Sequence, residues 1–111
     1  MDTQGNTDWD MVKAELAARV AALDVRAPYV EARELAPDID AIRHLAHINQ
    51  LNPAATVAHF LNTALARGER GDRTALVHGW LSMLTEAVAS ERQDAAACDA
   101  FAAACSVRLA S

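Results

Sequence analysis

"HLAHINQLNPAATVAHFLN", His44 to Asn62, joins two apolar-periodic runs across Leu51–Asn52–Pro53 and holds three of the chain's four histidines. Upstream, Ile39, Ile42, Leu45 and Ala46 recur at helical spacing, with Ile48 at the margin of the same face. That spacing predicts a helix over residues 38–51 with Asp38 as its cap. Downstream, Ala54, Val57, Ala58, Leu61, Ala64 and Leu65 form a second stripe. Asn52 reads as its cap and Pro53 as its first helical residue, where a missing N–H costs nothing. Gly68 ends it. Two helices joined by a capped turn make a helical hairpin, and this hairpin places the chain in the all-α class.

Working outward, "GERGD" (68–72) reads as a loop and Asp72 as the cap of the following helix. Leu76, Val77, Trp80, Leu81, Leu84, Ala87 and Val88 give that helix a broad apolar face, as expected of a helix contacted from two sides. "SERQ" (90–93) has capping-box form, so it either starts a fifth helix or bends one long one. Cys98, Phe101, Ala102, Cys105 and Leu109 line the last segment. On the N-terminal side, residues 1–6 read as a disordered lead. Thr7 is a cap, and Trp9, Val12, Leu16, Val20 and Leu23 mark an amphipathic helix over 8–24. Pro28 opens a short helix carrying Tyr29, Val30 and Leu35, and Pro37 closes it. The expected architecture is a single domain over 7–111, a compact bundle of four to five helices, mostly antiparallel with short connections.

Composition agrees. Hydrophobic residues are 52% but aromatics only 5%, so the core must come from Leu, Ile, Val and the helix-favouring Ala. The net charge of −5 argues against nucleic acid, whose phosphates need Lys and Arg, and against anionic membranes. No apolar run has the length of a membrane span. The polar start "MDTQGNTDWD" has no secretory pattern, so a cytoplasmic protein is expected. Cys98 and Cys105 would lie about 10 Å apart along one helix, too far for a mutual disulfide. Among alanines they read as two buried thiols.

Asp40, His44 and His47 fall at i, i+4 and i+7, one helical face, with ligand types that suit a metal. The apolar centre near Ile42 and Leu45 points almost opposite, so the triplet is expected on the solvated face. No HExxH or ExxH motif accompanies it, and neither a metal nor a cofactor is expected.

"LAHINQLNPAATVAHFLNTALARG" (45–68) is similar to the helix-turn-helix of bacterial repressors, in which the second helix enters the major groove. That resemblance implies DNA reading by Thr56, His59, Asn62 and Thr63. The pattern departs from the motif by one extra residue before "TV", by the lack of a turn glycine, and by having no Lys or Arg beside these positions before Arg67.

"ARGERGDR" (66–73) gathers Arg67, Arg70 and Arg73 as candidates for an anion or a partner's carboxylate, with Glu69 and Asp72 interleaved. No phosphate loop or nucleophile elbow occurs. The carboxylate pairs Asp38/Asp40 and Glu31/Glu34 lie on polar segments. The leading expectation is a non-catalytic helical protein that acts through protein–protein interaction, with another protein or a second copy of itself. The alternative is a helix-turn-helix DNA-binding regulator using residues 38–67.

Overall fold

The computed structural model describes residues 3–67 and 73–110. They form five α-helices: α1 (Thr3–Arg26), α2 (Ala32–Ile48), α3 (Asn52–Ala66), α4 (Arg73–Ala89) and α5 (Ala95–Ala110), with a 3₁₀ turn, Ala27–Tyr29, between the first two. The all-α bundle holds. The expected cap Asp72 and stop Gly68 lie outside the described residues, as does the side chain of Leu76.

Helix α3 is central. It packs on α2, α4 and α5, while α1 packs on α4 and α2. Pro53, Ala54, Val57, Ala58, Leu61 and Ala64 of α3 are all buried. Three alanines in that set keep its girth small, so neighbouring helices approach from several sides. Helix α4 is also contacted from two sides, by α1 and α3, as its broad face implied. The paired contacts give the directions. Lys13 meets Ser90 and Asp24 meets His78, so α1 and α4 run antiparallel. Cys105 meets Met83 and Arg108 lies over Trp80, so α4 and α5 do as well. Helices α3 and α5 are the parallel pair: Asn52 reaches Gln93 at their starts and Arg67 reaches Leu109 at their ends.

The turn of the hairpin is a Schellman motif. The Leu51 N–H donates to Ala46 O at 2.8 Å and the Gln50 N–H to His47 O at 3.1 Å. Gln50 adopts φ 62°, the left-handed conformation usually given to glycine. Leu51, which follows it, is fully buried and serves as the N-cap of α3, so the turn is anchored by an apolar side chain. Trp9 Nε1 of α1 donates to Asn49 O at 3.3 Å, and Lys13 lies 4.6 Å over the Trp9 ring while donating to Ser90 O at 2.8 Å. One end of α1 is thereby tied to both the hairpin turn and the turn that follows α4.

Several local expectations are corrected. Helix α1 opens at Thr3, within the stretch read as a disordered lead, so Thr7 is inside a helix rather than capping one. Pro37 closes nothing: it sits inside α2, which starts at Ala32 behind a Glu31–Glu34 box in which Glu34 accepts the Glu31 N–H at 2.8 Å. Asp38 is therefore not a cap. It pairs with Arg26 across the α1–α2 corner. A proline near a helix start forfeits only one early hydrogen bond, and burial of Leu35 and Ile39 on either side holds the helix through it. Pro53 is the second residue of α3 and Asn52 the first. Ile48 is 59% exposed rather than marginal. The "SERQ" box forms a turn instead of a cap: Ser90 Oγ accepts the Arg92 N–H, and Gln93 Nε2 donates to Ser90 O. A separate α5 starts at Ala95, with Asp94 accepting the Ala97 N–H at 2.9 Å. That bond and the Arg92 guanidinium hold the Asp94 carboxyl below its ordinary pKa.

Gly79 serves a close approach. A Cβ there would lie 2.5 Å from Arg108 Nη1, so the missing side chain lets the guanidinium lie across α4.

Two outcomes are expected in urea denaturation. Leu61→Ala should cost about 2–5 kcal/mol, because it opens a cavity in the most enclosed helix, whereas His59→Ala should stay within about 0.5 kcal/mol. Gln50→Gly should stabilise by up to about 1 kcal/mol by relieving the left-handed backbone; a loss of stability would show that the Gln50 side chain contributes more than its backbone costs.

Candidate functional site

Asp40, His44 and His47 are all exposed, and the Asp40 carboxylate is occupied by Arg43, which donates to it from Nε at 3.0 Å and Nη2 at 2.8 Å. Among the described residues no three His, Cys, Asp or Glu side chains converge as metal ligands would. His78, exposed on α4, meets Asp24 at 2.9 Å.

The four positions suggested for DNA reading do not share an open face. His59 is exposed, but Thr56, Asn62 and Thr63 are half-buried. The exposed residues of α3 are Asn52, His59 and Ala66, seven apart, a seam one residue wide. Thr63 Oγ1 is turned back onto His59 O at 3.2 Å, and Asn62 Oδ1 is buried without a hydrogen-bond partner among the described residues. Packing of α3 on three other helices leaves that narrow seam as its exposed surface.

Of the three arginines, Arg67 donates from Nη1 to Leu109 O at 3.4 Å, satisfying a carbonyl in the last turn of α5. Arg70 lies outside the described residues, and Arg73 is the first residue of α4, its side chain also outside them. Nothing described brings the three together.

The cysteines differ from each other. Cys105 is buried and donates to the Met83 thioether at 3.5 Å, while Cys98 is half-buried, which corrects the expectation of two buried thiols. Burial pushes the Cys105 thiol up to about 11, against a smaller opposing pull from Arg108. It is therefore neutral and a poor nucleophile at ordinary pH.

Sequence reasoning missed a groove between α2 and α3. Arg43 and His47 line one wall; Asn52, Thr56 and His59 line the other, around about 310 Å³. Residues from the metal suggestion and from the DNA suggestion thus meet in one place. The signal was available: in an antiparallel hairpin turning near residue 51, position 47 faces 56 and position 43 faces 59. A second cleft of about 500 Å³ lies at the other end of the same hairpin, between Arg33 and Ala36 of α2 and Asn62, Leu65 and Ala66 of α3.

Comparison of the chain with family models, with curated proteins and with solved structures finds no match. Among the described residues no helix is long and apolar enough to cross a membrane.

With a thiol-specific reagent at neutral pH, Cys98 should be modified in the native protein and Cys105 only after denaturant is added. Equal native rates, read by peptide mapping, would show that the Met83 side of the core opens.

Proposed function

We propose that this is a small non-catalytic interaction protein whose α5 packs against a second copy of itself. One observation carries the reading. Ala96, Ala100, Ala103, Val107 and Ala110 recur at i, i+4, i+7, i+11 and i+14 along α5, and all are exposed. The opposite side of the helix is spent on α3, with Ala97 and Cys105 buried. Such small side chains let a second backbone come close, and Val107, 69% exposed, gains most from being covered. A face of this kind can be self-complementary about a two-fold axis. Charge favours an antiparallel arrangement, since exposed Asp99 lies toward one end of the stripe and exposed Arg67 beside the other. The cytoplasmic setting expected from the sequence belongs to this proposal.

The helix-turn-helix alternative draws less support. The narrow exposed seam of α3 and the net charge of −5 both stand against it.

Sedimentation equilibrium tests the proposal. A monomer–dimer equilibrium is expected at micromolar concentrations. Ala103→Glu, which puts a charge at the centre of the stripe, should weaken it by at least about tenfold with the helical circular dichroism unchanged. A wild-type chain that stays monomeric to high micromolar concentration would overturn self-association.

A further inference from the structure

We infer that the groove between α2 and α3 binds a small oxyanion, inorganic phosphate or a phosphate monoester. The inference is independent of α5. The groove is lined by Arg43, His47, Asn52, Ala55, Thr56 and His59. Every polar residue in that set carries hydrogen-bond donors, and none is a carboxylate. The cleft at the other end of the hairpin also lacks an acid, but in its lining only Arg33 and Asn62 have polar side chains, against five here.

The guanidinium is held in place. Asp40, on the same helix, accepts from Arg43 Nε and Nη2 through a single oxygen, Oδ1. A guanidinium has five N–H groups, so the remaining donors stay available from a side chain whose orientation is already set. His59 is steadied by the edge of Phe60, the ring centroids 5.9 Å apart and the planes at 75°. Preorganised donors lose less freedom on binding than mobile ones.

The same wall argues against a metal. Two imidazoles and a hydroxyl could serve as ligands, but among the described residues no three His, Cys, Asp or Glu side chains gather as a metal needs, and the remaining N–H groups of Arg43 offer donors, which suit an anion. The groove lies at the lower end of the volumes of small-molecule sites, about 300–1,000 Å³, which suits a compact ligand. An oxyanion with several acceptor oxygens uses a guanidinium, two imidazole N–H groups and a hydroxyl at once.

The test is titration of the isotope-labelled 111-residue chain with inorganic phosphate, followed by amide and imidazole resonances, with ionic strength held constant by sodium chloride. Saturable shifts are expected at Arg43, His47, Ala55, Thr56 and His59. Arg43→Gln, and separately the double change His47→Ala with His59→Ala, should each raise Kd about tenfold, the loss of a charge-assisted hydrogen bond. Arg33→Gln, in the other cleft of the hairpin, should leave Kd unchanged. Thermal melts separate lost binding from lost fold, and a variant that fails to melt cooperatively is replaced by Arg43→Lys, for which weakened binding is again expected. Glycerol phosphate should reproduce the shifts. Shifts that do not saturate, that appear equally with chloride, or that survive the groove substitutions would overturn the inference. A response at the same residues to duplex DNA, with none to phosphate or its monoester, would also overturn it and make the groove a nucleic-acid contact.

Discussion

Enclosure of α3 is the constraint on which the bundle depends. A helix touched on three sides must be apolar around most of its circumference, and it must be slim enough for its neighbours to reach one another. Val57 and Leu61 supply bulk, and Ala54, Ala58 and Ala64 supply room. The enclosure begins before the helix does. Leu51, fully buried, closes the left-handed turn after α2 and opens α3, so one side chain sets the angle at which the two helices meet. Anything that loosens this corner loosens α2, α4 and α5 together.

Polar contacts are arranged around that centre and do different work. The ion pairs Arg19–Glu15, Arg26–Asp38 and Arg92–Asp94 have side chains about half exposed or more, where solvent screening leaves little net stability. Arg26–Asp38 and Arg92–Asp94 bias the ends of helices, and Arg19–Glu15 links successive turns within α1. The partly buried contacts of Trp9 and Lys13 are more consequential, because they join α1 to two carbonyls at chain reversals, Asn49 and Ser90. Gly79 and Arg108 make a comparable joint near the middle of α4, where a flat guanidinium replaces a side chain that a larger residue would have supplied.

The surfaces left over differ in kind. The outer face of α5 offers small apolar side chains and one exposed valine, and dispersion with a close-fitting backbone is all it can contribute. The α2–α3 groove offers hydrogen-bond donors from five side chains, with the Arg43 guanidinium oriented by Asp40. A partner helix suits the chemistry of the first and an oxyanion that of the second, so the two proposed roles would not compete for one surface.

The sequence by itself determined the helical class, the hairpin at 44–62 and most of the core, because a 3.6-residue period of Leu, Ile, Val and Ala has only one way to bury itself. Leu16, Val20, Ile39, Ile42, Val57, Leu61, Trp80 and Leu84 were all legible from spacing and are all buried. Local punctuation was less legible. Pro37 and "SERQ" resemble helix ends, yet whether a proline stops a helix depends on what the residues beside it bury, and whether a box caps one depends on where the next helix is needed. The site was least legible of all. Asp40, His44 and His47 share a face, and so do Thr56 and His59, but one-dimensional spacing relates residues only within a helix. Bringing Arg43 and His47 opposite Thr56 and His59, half-burying Thr63, and leaving one stripe of α5 exposed were decided by the tertiary structure, since each depends on which helices neighbour one another in space.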